Sequence, residues 1–280
     1  LLNYMKNFFD NEIVLNSKSN DNIIFGKIKD ESTVYHLAEI LNNHKIKFNR
    51  ISNDVELNGK KYSKDNSFMI PLNQAKRTLI NAMFYTQTEF RDSLFYDVSA
   101  WTFPLAFNVN YTYTKGLNKT NISRLINDEV KILEKPEGSV NFKSDYAYLF
   151  EPHEYYAQAA VYDLIKDGLR VKTATRKFSI DDKEYDYGTY LIPVQNQNMS
   201  SDDIYEKLKQ ISKKYNIDFE SQSTGITSGI DLGSDYFIIV NEPKIGLIVG
   251  DGVRSYDAGE IWHLLDTRYD IPISKLDVDD

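Results

Sequence analysis

The sequence predicts an α/β protein with two duplicated strand-helix-strand-hairpin-helix units, followed by a βαβ segment of a parallel, flavodoxin-like sheet. Two observations predict the duplication. A short apolar strand precedes an amphipathic helical pattern twice, about 125 residues apart. An apolar strand that contains Ile-Pro also occurs twice, at Ile70-Pro71 and at Ile192-Pro193. The third observation is the continuous apolar run at residues 244–249, which is typical of a strand buried on both faces of a parallel sheet.

The first unit is predicted at residues 21–114, and residues 1–20 are predicted to connect it to an upstream domain. Asn58-Gly59 is the strongest two-residue signal for a hairpin turn. An apolar strand at residues 68–72 and a helix from about residue 74 to 84 complete the unit. The first helix of the unit has apolar residues at helical spacing, namely Val34, Leu37, Ile40 and Leu41.

The second unit is predicted at residues 144–240 and repeats this order. Gly168 is expected to end its first helix in the left-handed conformation, and His44 is the corresponding residue of the first unit. Asp181-Asp182 is a weaker hairpin signal than the one in the first unit. Residues 115–143, which contain several Asn, Gly and Pro, are predicted to link the units. The apolar residues of its first helix are Ala157, Ala160, Val161, Leu164 and Ile165.

The last segment, residues 241–280, is predicted to form a single βαβ crossover. A tight turn at residues 250–252 follows the apolar strand, and Asp257 with Glu260 has the spacing of a capping box at the start of a helix that runs to about Thr267. A parallel sheet needs more strands than one crossover supplies. We therefore expect the segment to be a truncated part of a larger domain, and the absence of an initiator Met supports a longer parent chain.

The composition limits the classes of function. The net charge is −8 with acidic and basic residues interspersed, so no basic surface for nucleic acid is expected. No apolar run is long enough for a membrane span, and the chain has no Cys, which excludes disulfides and a thiol nucleophile. Aromatic residues are 20 Tyr, 15 Phe and 2 Trp, a mixture suited to cores and also to peptide or glycan contacts.

Catalytic and metal sites are not predicted. His36 and Glu39 have the His-x-x-Glu spacing of zinc carboxypeptidases, but they lie in an amphipathic helix and no third ligand can be assigned, so a histidine on the helix surface is favoured. The second unit has no histidine at the equivalent place. No Gly-x-Ser-x-Gly sequence is present, and the Ser- and Gly-containing loop at residues 223–229 is interpreted as a connection.

Two places could bind a ligand. The turn at residues 250–252 resembles the start of a dinucleotide fingerprint, but Ser255 replaces the third glycine. Such a turn at the carboxyl end of a parallel strand remains a general binding place. In the other place, around Trp101, the indole could form a ligand platform, although a core position is favoured. The candidate binding residues are Asp97, Trp101, Asp251, Arg254, Glu260 and His263.

Three stretches carry a family resemblance. Residues 92–107 (DSLFYDVSAWTFPLAF), residues 68–74 (FMIPLNQ), and residues 250–253 (GDGV) together with 258–263 (AGEIWH) resemble the region C-terminal to the catalytic domain in bacterial zinc carboxypeptidase-like proteins of the carboxypeptidase A superfamily. In that family the last stretch lies at the start of a class I glutamine amidotransferase-like domain. The resemblance extends from about residue 20 to 280.

This resemblance implies a non-catalytic accessory region of a secreted or periplasmic metallopeptidase. Zinc is expected only in an upstream carboxypeptidase domain, which would be the partner in the same polypeptide. An active amidotransferase needs a nucleophilic Cys, which this sequence lacks, so no catalytic residue is transferred. Two alternatives remain: a free-standing module that binds a peptide or glycan, and an independent hydrolase with an unrecognised site.

Overall fold

The computed structural model describes residues 1–17, 20–86, 102–115 and 124–278. By its internal contacts the chain divides into two compact units, Leu1–Lys135 and Pro136–Asp280. Both contain helices and sheets, which confirms the predicted mixed α/β class. In the described part of the chain, no helix is both long and apolar enough to cross a membrane.

The first unit is built around a five-stranded antiparallel sheet with strand order β6-β1-β5-β2-β7. Strands β3 and β4 form a separate hairpin. The core lies where Ile23 and Phe25 of the interior strand β1 pack against Leu37 and Leu41 of α2. The elements are α1 (Leu2–Ser17), β1 (Asn22–Gly26), α2 (Glu31–Asn43), β2 (Asn49–Ile51), β3 (Val55–Leu57), β4 (Lys60–Tyr62), β5 (Ser67–Pro71), α3 (Arg77–Phe84), α4 (Phe103–Ala106), β6 (Asn110–Thr114) and β7 (Ile126–Glu129).

The second unit has a five-stranded antiparallel sheet with strand order β13-β8-β12-β9-β14 and a hairpin of β10 and β11. Its largest core cluster includes Tyr148, Leu164 and Phe219. The elements are β8 (Ala147–Phe150), α5 (Ala157–Lys166), β9 (Lys172–Ala174), β10 (Phe178–Ile180), β11 (Lys183–Tyr185), β12 (Tyr190–Pro193), α6 (Ser201–Tyr215), β13 (Glu220–Gln222), β14 (Phe237–Ile239), β15 (Gly246–Val249), α7 (Ser255–Trp262), a π-helical turn (His263–Arg268) and β16 (Ser274–Asp277).

The two sheets have the same topology. When the five strands of each sheet are numbered in chain order, both sheets have the strand order 4-1-3-2-5. In each unit a hairpin separates the second and third strands of the sheet. The two predicted hairpin turns are confirmed. Asn58 (φ 52°) and Gly59 (φ 73°) both have positive φ, as the first turn requires.

The residue that ends the first helix of unit one is not the predicted one. Lys45, rather than His44, has the positive φ (56°) that Gly168 has in the second unit (87°). The backbone hydrogen bonds define this equivalence, since Ile46 N donates to Leu41 O just as Leu169 N donates to Leu164 O. The prediction was wrong by one residue because only Gly marks the left-handed position in a sequence, and a lysine there gives no such signal.

Described parts of the predicted connector and of the predicted linker contribute to the folded units. Residues 2–17 form α1, whose buried Glu12 accepts a hydrogen bond from Thr78 of α3. Within residues 115–143, strand β7 pairs with β2 of the first sheet. Further along, Val140 forms an isolated bridge with Phe219 of the second unit. The boundary between the units falls inside this range, after Lys135.

The last segment forms the predicted βαβ arrangement, and β15 and β16 are parallel. Two details differ from the prediction. The N-cap of α7 is Arg254, whose side chain makes no capping hydrogen bond. Asp257 and Glu260 do not form a capping box because both lie inside the helix. Strand β15 is not buried on both faces: Ile248 is 59% exposed, since this sheet has two strands and α7 covers only the other face.

Candidate functional site

The last βαβ segment contains a cleft of about 370 Å³ between α7 and the strands β15 and β16. The parallel register pairs Leu247 with Lys275, so both side chains extend from the same face of the sheet toward α7. Ala258 and Trp262 are four residues apart and line the cleft from α7. The complete lining is Leu247, Val249, Gly250, Val253, Ser255, Ala258, Gly259, Trp262 and Lys275.

A cation lies against the aromatic ring of this cleft. The Nζ atom of Lys275 is 4.8 Å from the centre of the Trp262 ring, within the range of a cation–π contact. Both side chains are exposed to solvent. Within the ranges that the structure describes, no carboxylate pairs with Lys275. The cleft therefore combines an apolar lining with one accessible positive charge.

The predicted binding residues lie around this cleft rather than in it. Asp251, Arg254, Glu260 and His263 are all exposed, and none of the four lines the cleft. No hydrogen bond or ion pair joins them to one another in the described ranges. The other two candidates, Asp97 and Trp101, lie outside the described residues. That Asp251, Arg254, Glu260 and His263 bind a ligand stays a prediction.

The turn after β15 is unsuited to a phosphate group. Gly250 (φ 97°) lies so close to Asp277 that a Cβ atom added there would be 2.3 Å from Asp277 Oδ1. Asp251 adds a second acidic side chain to the turn. Two carboxylates at the place where a dinucleotide would put its phosphates repel that ligand, which agrees with the missing third glycine.

The histidine with zinc-site spacing lies beside a carboxylate of its own helix. His36 Nδ1 lies 3.5 Å from Glu39 Oε2, one turn further along α2. Zinc sites use at least three protein ligands. In the described residues, no group of three His, Cys, Asp or Glu side chains has an arrangement that could hold a metal ion.

The second unit contains a network of charged side chains at its hairpin. Glu151 directly follows β8. Its Oε2 atom is 3.2 Å from His153 Nδ1, and its Oε1 atom is 3.4 Å from Lys183 Nζ. Lys183 also pairs with Glu220 of β13. Tyr185 donates a hydrogen bond to Glu220 Oε2 at 2.7 Å. The network thus connects β8, β11 and β13.

Burial and a nearby carboxylate both act on Tyr185. Burial raises the pKa of its phenol, and the hydrogen bond to Glu220 raises that pKa further. The equivalent tyrosine of the first hairpin, Tyr62, forms a 2.7 Å hydrogen bond between its hydroxyl group and the uncharged Thr112 Oγ1. Both acids of this network, Glu151 and Glu220, have a basic partner, so we interpret the network as a structural anchor and not as a ligand site.

A second cleft, of about 350 Å³, lies beside the hairpin of the first unit. Its lining carries both signs of charge, and Asp54 is already engaged as the acceptor of a 2.9 Å hydrogen bond from Lys64 N. This mixture does not define a ligand class. The lining residues are Ile28, Asp54, Val55, Glu56, Lys61, Tyr62 and Ser63.

Comparison of the chain with protein-family models, with curated proteins and with solved structures found no match. The cleft beside Trp262 is therefore interpreted from its own geometry. Sequence reasoning missed its two distinctive residues, Trp262 and Lys275. Trp262 is one of only 2 Trp in the chain, and that rarity was the signal that could have identified it.

Proposed function

We propose that this chain is a non-catalytic accessory region of a zinc carboxypeptidase-like peptidase that is secreted or periplasmic. In this proposal the zinc-binding catalytic domain lies upstream in the same polypeptide. The two antiparallel units derive from a duplication, and the last βαβ segment belongs to a flavodoxin-like, amidotransferase-like sheet. The accessory region binds a ligand of the parent enzyme in the cleft beside Trp262.

The observation that carries the proposal is the role of the residues that resemble this family. Phe68 and Ile70 are buried core residues of β5, and Gln74 holds the backbone of Lys47 through two hydrogen bonds. Ala258 packs inside the βαβ segment. These residues form the framework, whereas a peptidase site would need ligands and a general base. Framework residues of this kind fit a region that supports catalysis elsewhere.

The free-standing binding module is the second candidate, and the cleft favours it. A mainly apolar cleft of a few hundred Å³ with a small number of polar groups is the usual form of a small-ligand site. The lining of this cleft includes an exposed Trp and a Lys. The two candidates share the binding site and differ in whether a catalytic domain belongs to the same polypeptide.

The test is to sequence the complete parent reading frame and to express it with and without residues 1–280. We expect an upstream His-x-x-Glu with a distant His, and zinc-dependent release of C-terminal amino acids by the parent protein. Residues 1–280 alone should neither hydrolyse the peptide nor bind zinc at one equivalent in equilibrium dialysis. Zinc-dependent hydrolysis by residues 1–280 alone would refute the proposal, and a reading frame without the upstream motif would leave the free-standing module.

A further inference from the structure

We infer that the cleft beside Trp262 binds a carboxylate that carries an apolar group about the size of a phenyl ring. The inference rests on the binding role proposed above and names the class of ligand. Two features of the cleft define this class separately: its lining selects the apolar group, and Lys275 selects the charge.

The lining selects an apolar group of limited size. Leu247, Val249 and Val253 are only partly buried, so they expose apolar surface that a ligand can cover. A volume of about 370 Å³ is at the small end of the range for ligand sites, and it accommodates one aromatic or branched aliphatic group. Trp262 supplies a ring face for such a group.

Lys275 selects a negatively charged group. Among the lining residues that the structure describes it is the only charged one, and its ammonium group lies over the Trp262 ring at 4.8 Å. A charge-assisted hydrogen bond to a carboxylate is stronger than an exposed cation–π contact. A carboxylate at the mouth of the cleft would therefore draw the ammonium group away from the ring and leave the ring face to the apolar group.

The surrounding charges restrict the anion to a small one. The carboxylate of Asp277 lies beside Gly250, and Asp251 is the residue after Gly250. A polyphosphate that extended to this turn would therefore meet two carboxylates. A cationic ligand is disfavoured by Lys275 itself. A single carboxylate next to an apolar group satisfies both restrictions. It can come from the end of a peptide or from a small free acid.

The experiment is a calorimetric titration of the 280-residue protein with four probes. They are 3-phenylpropionate, its neutral amide 3-phenylpropionamide, acetate, and the tripeptide acetyl-Ala-Ala-Phe with a free carboxylate. We expect 3-phenylpropionate to bind about tenfold more tightly than the amide, which corresponds to about 1.4 kcal/mol, and acetate to bind more weakly than either. A tripeptide that binds more tightly than 3-phenylpropionate identifies a peptide end as the source, and the reverse order identifies a small acid.

Variants of the cation separate the charge from the fold. Lys275→Gln should reduce the acid-to-amide ratio from about tenfold to about one, while Lys275→Arg should retain most of it. Lys60→Gln is the matched control because Lys60 Nζ also lies over an aromatic ring, at 5.0 Å from the centre of Tyr111, but in the other unit. This control should bind all four probes as the unchanged protein does. Thermal melts followed by circular dichroism check that each variant is folded.

Several results would overturn the inference. Equal affinity for the acid and the amide, or a preference that survives in Lys275→Gln, would remove the carboxylate from the ligand class. In that case, if Trp262→Ala weakened the binding of both 3-phenylpropionate and its amide, the cleft would still bind the apolar group, but it would not select a carboxylate. Absence of binding by all four probes would reject the cleft as a site for this class. The zinc-binding and hydrolysis assays test the proposed accessory role, and their outcome does not depend on these binding results. A failure of the ligand inference can therefore be distinguished from a failure of the proposed function.

Discussion

Gln197 holds both backbone polar groups of Arg170. Its Oε1 accepts a hydrogen bond from Arg170 N at 2.8 Å, and its Nε2 donates to Arg170 O at 3.0 Å and to Pro193 O at 2.7 Å. The side chain thereby ties the loop after α5 to the end of β12. Gln74 makes the same three contacts in the first unit, to both groups of Lys47 and to Pro71 O.

Loss of this contact should destabilise the second unit. Gln197→Ala leaves the polar groups of Arg170 without their partner, and we expect the free energy of unfolding to fall by about 1–3 kcal/mol. Urea denaturation followed by fluorescence measures this change. Gln195→Ala is the control because Gln195 is exposed and makes one long side-chain contact, 3.4 Å to Asp145 O. It should cost at most about 0.5 kcal/mol, and equal costs for the two variants would show that the three contacts contribute nothing.

Gly138 should not tolerate a side chain. A Cβ atom at this position would lie 2.2 Å from Ile217 O and 2.4 Å from Ile217 N, both of which are backbone atoms. Gly138→Ala must therefore shift the chain, and we expect a loss of about 1–3 kcal/mol in the stability of the second unit. Gly233→Ala is the control, since no heavy atom lies within 4 Å of the added Cβ. Equal thermal melting temperatures for the two variants would contradict the close packing of residues 136–143 on this unit.

A polar substitution on the exposed face of the last sheet should cost less stability than one in the core of the five-stranded sheet of the second unit. Ile248 is 59% exposed, so Ile248→Thr should change the free energy of unfolding by less than about 0.5 kcal/mol. Ile192 is fully buried in β12, and Ile192→Thr should cost about 2 kcal/mol or more because it removes apolar contacts and buries a hydroxyl group. Urea denaturation of both variants measures the difference. A large cost at Ile248 would mean that its face of β15 is covered.

Local signals in the sequence predicted local structure. The Asn58-Gly59 turn was predictable because few residues adopt positive φ, and α2 was predictable because Leu37 and Leu41 recur at helical spacing. The strand order was not predictable, because it depends on pairings between distant residues, such as that of Gly26 with Asn110. The antiparallel direction of the two main sheets follows from those pairings.

The candidate site was predictable only in part for the same reason. The Gly250 turn has a local signature, the Gly-Asp-Gly sequence at residues 250–252. Trp262 and Lys275 come together because the parallel register pairs Leu247 with Lys275 across the sheet, and no local pattern specifies that register. Asp251 and Glu260 were predicted from the position of the turn at the carboxyl end of a strand, whereas the cleft is defined mainly by shape and apolar lining.

The stability of the second unit should depend on pH in the alkaline range because of two buried tyrosines. Burial raises the pKa of Tyr185, and the hydrogen bond to the Glu220 carboxylate adds to this effect. Burial, together with Asp163, raises the pKa of Tyr215 to about 12. The folded protein therefore holds both phenolic protons more tightly than the unfolded chain, whose tyrosines titrate near pH 10. The stability linked to these protons is complete below about pH 10 and is lost as the pH rises above it.

Removing one of these phenols should make the pH dependence less steep. Each raised tyrosine contributes a fall of up to about 1.4 kcal/mol in the free energy of unfolding per pH unit between about pH 10 and 12. Tyr185→Phe should reduce the slope by about that amount, and Tyr215→Phe is the matched variant with a similar reduction. The measurement is urea denaturation at intervals from pH 8 to 12. An unchanged slope in Tyr185→Phe would show that this phenol ionises in the folded protein as readily as in the unfolded chain, and that its contact with Glu220 does not hold the proton.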